Sequence, residues 1–104
     1  MAIYTFQTVG TGVKLKTITA TMPATGAAVV TVPHILFGPK IIFVEVSVLT
    51  NTTTGATIQS VNTFLGGSEF YYDYDNNNIY LRTTLLNSAA VLGKQANISV
   101  WYEA

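Results

Sequence analysis

Along most of the chain, apolar and polar residues alternate with a period of two, the signature of strands whose two faces meet different surroundings. Residues 40–49, KIIFVEVSVL, carry the pattern most clearly. Ile42, Val44, Val46 and Val48 fall on one face, which is expected in the core. Ile41, Phe43, Glu45 and Ser47 fall on the other. That second face is half apolar, so Ile41 and Phe43 are candidates for a contact between subunits. Residues 97–103, NISVWYE, alternate Ile98, Val100 and Tyr102 with Ser99 and Trp101. Residues 69–82, EFYYDYDNNNIYLR, predict a hairpin. Phe70, Tyr72 and Tyr74 share one side of it, with Tyr71 and Asp73 on the other. Ile79 and Leu81 alternate with Tyr80 and Arg82 on the return strand. Residues 75–78 are Asp and Asn, which tolerate left-handed turn conformations and cap their own backbone.

The remaining segments are shorter or less regular. Residues 2–8 alternate weakly, and Gly10-Thr11-Gly12 marks a turn. Residues 13–21, VKLKTITAT, set Val13 and Leu15 against Lys14 and Lys16, so the two lysines are expected on a solvated face. Residues 27–32 form a short β-branched strand that ends at Pro33, and residues 56–65 give another strand candidate before Gly66-Gly67. Residues 85–93, LLNSAAVLG, read as a loop with a short strand, a helical turn being the alternative. The sum is about seven or eight short strands with turn signals between them. That pattern predicts an all-β fold, an antiparallel β-sandwich of jelly-roll type, as a single domain over residues 1–104.

Composition sharpens this picture at one point. Charged residues make up 10% of the 104 positions and hydrophobic ones 49%, against about 25% charged in an ordinary soluble domain. Five basic residues balance five acidic ones, and a net charge of zero favours association. The expectation is a homo-oligomer in which copies of the chain cover one another's apolar surface. The balance also disfavours nucleic acid as a partner, which needs a basic surface. No polybasic segment addresses an anionic membrane, and no apolar run reaches the ~18 residues of a spanning helix. With no cysteine, neither a disulfide nor a thiolate metal site is available. The first residues, MAIYTFQTVG, lack the basic start and apolar run of a signal peptide.

Candidate chemistry is sparse. His34 is the single histidine, and no serine lies in a nucleophile-elbow context. No catalytic residue is assigned, and no enzyme is expected. One histidine without cysteine does not close a zinc site. Asp73 and Asp75 echo the opening of a calcium loop, but the glycine and distant glutamate that complete one are missing. No metal and no cofactor is therefore expected, and a polar hairpin tip is the simpler reading. Recognition is better served. Tyrosine offers broad apolar area with a polar tip, and Tyr71, Tyr80 and Trp101, with Asp73 and Asp75, are the binding candidates.

The stretch VPHILFGPKIIFVEV, residues 32–46, resembles a segment that recurs in bacteriophage tail-fibre and other virion proteins. There a strand ending in I-x-H-G-L-G leads through a short loop and P-K into an apolar strand. Val32, His34, Leu36, Pro39 and Lys40 match, and Ile35 and Phe37 stand where the pattern has glycine. The terminal NISVWYEA extends the likeness loosely. The resemblance implies a virion structural protein made in the host cytoplasm, homo-oligomeric and expected to be a trimer. Its role would be a fibre or receptor-binding part, or a capsid decoration. Its partners would be other virion proteins or a host surface glycan or protein, and His34 would pack within a turn. The alternative is a lectin-like carbohydrate-binding module that uses exposed tyrosines.

Overall fold

In the computed structural model, residues 3–10, 12–36, 41–51, 53–59, 69–86 and 88–103 are described. They form strands β1 (Ile3–Gly10), β2 (Val13–Thr21), β3 (Val29–Pro33) and β4 (Ile41–Asn51). The second half supplies β5 (Ala56–Gln59), β6 (Phe70–Tyr74), β7 (Asn78–Thr83) and β8 (Gln95–Glu103). Among the described residues there is no helix. The expected all-β, antiparallel class is what the chain adopts. The strands make two antiparallel sheets, one ordered β1-β2-β8-β4-β5 and one ordered β3-β7-β6.

The two sheets pack together because each has one apolar face. On β8 every second residue, Ala96, Ile98, Val100 and Tyr102, is buried, and Ile79 and Leu81 repeat this on β7. Val44, Val46 and Val48 from β4 meet Phe70, Ile79 and Leu81 of the smaller sheet in one continuous core. β8 lies between β2 and β4 and bonds to both. The tyrosine hydroxyl of Tyr72 on β6 donates to the Val44 carbonyl on β4 at 3.3 Å, a direct tie between the layers.

Three sequence readings are corrected. On β2 the core face is Lys16, Ile18 and Ala20, and Lys16 is 1% exposed, whereas Lys14 at the strand's outer end is solvated. Ile18 and Ala20 decide the face, because they must reach the core and parity carries Lys16 with them. On β4 an irregularity between Ile41 and Phe43 breaks the strict alternation. Ile41 turns in against the core, while Ile42 is 47% and Phe43 50% exposed. A bulge shifts side-chain parity by one residue, so Ile41 no longer shares a surface with Phe43. Residues 88–93 form turns with no strand, and Val91 alone of them plugs the core. The expected strand over residues 56–65 is present as β5, and residues 60–65 lie outside the described ones.

Phe70 fills the centre of the core with no solvent exposure. Phe70→Ala is expected to lower unfolding stability by about 3–5 kcal/mol, measured by urea denaturation; a loss under ~1 kcal/mol would contradict this packing.

Candidate functional site

The richest cluster of functional groups lies on the outer face of the β6–β7 hairpin. Parity aims Tyr71 and Asp73 outward from β6, and Tyr80 and Arg82 outward from β7. The register sets Tyr71 opposite Arg82 and Asp73 opposite Tyr80. The diagonal pair closes as an ion pair, with Arg82 Nε 3.0 Å from Asp73 Oδ1. Both side chains are well exposed, so the pair adds at most about 1 kcal/mol and acts mainly to fix the guanidinium. That guanidinium also lies 5.5 Å from the centre of the Tyr80 ring, within cation–π range.

Asp75 organises the hairpin tip. Its Oδ1 accepts the amides of Asn77 at 2.9 Å and Asn78 at 2.8 Å, and its Oδ2 accepts the Tyr80 hydroxyl at 2.6 Å. The Asp75 amide in turn donates to the Asn78 carbonyl at 2.9 Å. The Tyr80 hydroxyl and then the two amides favour the ionised carboxylate and hold its pKa down at about 2. The same bond to Asp75 pushes the Tyr80 phenol up. With both oxygens of Asp75 engaged and Asp73 facing Arg82, the calcium-like opening serves as a turn cap and an ion pair. Among the described residues, no group of three or more His, Cys, Asp or Glu side chains is arranged to hold a metal ion.

Beneath this tip lies His34, fully buried in the connection that follows β3. Its Nε2–H donates to the Asp75 carbonyl at 3.0 Å, and its Nδ1 accepts the Leu36 amide at 3.1 Å. The backbone joins in, since the His34 amide donates to the Asn77 carbonyl at 3.2 Å. On the other side, the buried ammonium of Lys16 donates to the His34 carbonyl. Burial lowers the Lys16 pKa from its ordinary value. Both imidazole nitrogens are thus committed to backbone groups. The ring joins the turn after β3 to the β6–β7 tip, and the His34 backbone carbonyl adds β2 of the large sheet through Lys16.

The sharp return of the chain after His34 puts Ile35 at φ +57°, a left-handed conformation that costs a β-branched residue steric strain. This is the position at which the virion pattern carries glycine. The reversal lets the Leu36 amide face the imidazole and sends the Leu36 side chain back into the core.

Of the sequence candidates, Tyr71, Asp73, Asp75 and Tyr80 come together on this face. Trp101 does not. It points out of the opposite layer, where its ring meets Phe43 with centroids 5.5 Å apart and planes tilted by 41°. Leu15 of β2 and Phe43 of β4 flank Trp101 in register, giving one apolar row across three strands. Lys16 and Arg82 are the participants that sequence reasoning missed. Arg82 was findable, because the hairpin register alone places it diagonal to Asp73. No protein-family model, curated protein or solved structure matches the chain.

Two measurements check this site. The folded-state pKa of Asp75 lies below its ordinary value, so its stabilisation is complete above about pH 4 and is lost as pH falls toward about 2. Urea titrations between these limits should show a falling stability that Asp75→Asn flattens; an unchanged slope would contradict the cap. Ile35→Gly should relieve ~1–2 kcal/mol of strain against ~0.5–1 kcal/mol of added chain entropy. A small net stabilisation is expected, and a clear loss of melting temperature would show that the turn is unstrained.

Proposed function

We propose that the chain is a non-enzymatic virion structural protein that works as a homo-oligomer, either as a fibre or receptor-binding part or as a capsid decoration. The observation that carries the reading is the outer face of the large sheet. There Phe43 is half exposed beside Trp101, and Ile42 is nearly as exposed at the bulge. A chain with 10% charged residues and no net charge has few ionic groups to keep such surfaces apart in water. Association with identical copies hides them. A role performed through shape and symmetry also accords with a histidine whose two nitrogens are spent on backbone.

The strand connections support a sandwich of jelly-roll type. β2 pairs with β8 in one sheet while β3, next in sequence, pairs with β7 in the other. Two consecutive strands near one end of the chain therefore pair with strands near the other end, in the nested wrap of that architecture. The likeness of residues 32–46 to virion segments fits a protein made in a bacterial cytoplasm and functioning on a particle. Partners in this reading are its own copies, neighbouring virion proteins, and a host glycan or protein.

A second reading rests on a separate observation. The hairpin face displays Tyr71 beside the fixed Asp73–Arg82 pair and Tyr80, a combination of rings and planar hydrogen-bonding groups suited to a sugar. A carbohydrate-binding module of this kind would use Tyr71 and Tyr80 without Trp101.

Light scattering at micromolar concentration should report a multiple of the 11.2 kDa chain mass, with a trimer expected. A monomer at every concentration would defeat the oligomeric reading. Genes for terminase, portal and tail proteins beside its own would support the virion role. Glycan-array binding by an isolated monomer, abolished in Tyr71→Ala, would favour the second reading.

A further inference from the structure

The outer face of the small sheet carries a polar pair with unused capacity. Arg82 spends its Nε on Asp73 Oδ1. Among the described residues, the terminal amino groups of Arg82 and the second oxygen of Asp73 have no hydrogen-bond partner. Free N–H donors thus lie beside a free carboxylate acceptor, on two well-exposed side chains. The flanking tyrosines play different parts. The guanidinium lies over the Tyr80 ring and covers that face, and the Tyr80 hydroxyl is spent on Asp75. Tyr71 stands opposite Arg82 in the register and is 44% exposed. Its hydroxyl is bonded to the Glu69 side chain, so a ligand is offered the ring and not the hydroxyl.

Across Arg82 from Tyr71 the surface opens into a cleft. Val29 of β3 is the partner of Arg82 on that side, and Ala27, Ala28, Val29, Arg82 and Thr83 line a volume of about 280 Å³. Thr83 is the buried floor, its hydroxyl committed to the Thr25 carbonyl at 2.7 Å and the Ala28 amide at 3.2 Å. The other four lining residues reach the surface, and only Arg82 among the five is charged. The loop that forms the wall is pressed against the end of β7, since a Cβ on Gly26 would lie 2.7 Å from the Thr84 carbonyl oxygen. Ala27 follows at φ +53°, a left-handed conformation that strains a residue with a side chain. Strain of this kind gathers at ligand sites.

Charge narrows the ligand. A carboxylate or phosphate would meet Glu69, Asp73 and Asp75 with one guanidinium to offset them, and a cation would crowd that guanidinium. A donor and an acceptor side by side answer two neighbouring hydroxyls, each able to donate and to accept. The Tyr71 ring, about 7 Å from Asp73 along β6, gives the C–H face of a sugar ring a surface to stack on. We infer that this face binds an uncharged hexose bearing an acetamido group. Two adjacent hydroxyls bond Arg82 and Asp73, the ring lies on Tyr71, and the acetyl methyl enters the cleft with its carbonyl accepting from Arg82. The inference rests on the carbohydrate-binding reading and narrows it to one class of sugar.

The test is an NMR titration of the isotope-labelled chain with N-acetylglucosamine, N-acetylgalactosamine, glucose and N-acetylneuraminic acid. At least one of the two N-acetylhexosamines should shift the amides of Tyr71, Asp73, Arg82 and Val29 and bind about tenfold more tightly than glucose. N-acetylneuraminic acid, which adds a carboxylate to the same acetamido group, should shift none of them. Tyr71→Ala and Arg82→Lys should each weaken binding at least about tenfold with melting temperature retained, because both side chains are exposed. Val29→Glu sets a carboxylate at the cleft wall and should bring the N-acetylhexosamine down to the level of glucose. Glucose binding as tightly as the acetamido sugars, or N-acetylneuraminic acid binding at these amides, would overturn the inference and leave the carbohydrate reading standing. Binding that survives both Tyr71→Ala and Arg82→Lys would overturn it too. A chain that binds no sugar on an array of neutral and acidic glycans would defeat both.

Discussion

His34 is the joint between the two layers: its imidazole holds the hairpin tip of the smaller sheet, and its backbone carbonyl takes the bond that comes from β2 of the large sheet. The imidazole donates to the Asp75 carbonyl and accepts the Leu36 amide, while the backbone carbonyl of His34 receives the Lys16 ammonium. A buried polar group without partners costs roughly 1–3 kcal/mol, so each member depends on the others being in place. Lys16 illustrates this most sharply. A charged amine on the core face of β2 is tolerable only where it has an acceptor, and the turn after β3 supplies one. The constraint runs outward from there. The bond from the imidazole to the Asp75 backbone carbonyl ties the joint to the β6–β7 tip, where the Asp75 carboxylate caps Asn77 and Asn78 and receives Tyr80.

This joint divides the molecule into surfaces with different characters. The hairpin face is polar and aromatic, with Asp73 paired to Arg82 and Asp75 hydrogen-bonded within the tip. The outer face of the large sheet carries the apolar row Leu15, Trp101 and Phe43, and below it threonine, serine and asparagine side chains of β2, β4 and β8 together with Glu45 of β4. The turn at Leu85–Leu86 is a third kind of surface, apolar and convex. A chain with 10% charged residues thus presents two apolar surface features of unlike shape.

Much of this was legible in the alternation of residues. The buried faces of β7 and β8, and Phe70 of β6, follow from period two alone, although Tyr74, on the Phe70 side of β6, ends 43% exposed and Trp101 adds an aromatic ring to the outer face of β8. The cap at Asp75 follows from the local bonding habits of Asp and Asn. Where the reading failed, two forces competed. On β2 the pairs Val13/Leu15 and Ile18/Ala20 have opposite parity, and only tertiary packing decides which pair goes inward. The bulge in β4 has no local signal, since all of Ile41, Ile42 and Phe43 are apolar. Trp101 was grouped with the tyrosines by residue type, yet strand order places it in the other layer. The exposure of Leu85 and Leu86 was not readable at all, because it depends on how Ser88 and Gly26 fix the turn beneath them.

The dependence on His34 is open to one direct test, native-state hydrogen exchange in the unmodified chain and in His34→Ala. The amides of Leu36, Asn77 and Asn78 should exchange slowly in the former and lose most of their protection together in the latter, while β8 amides such as that of Ile98 stay protected. Retained protection at the hairpin tip without the imidazole would contradict the account.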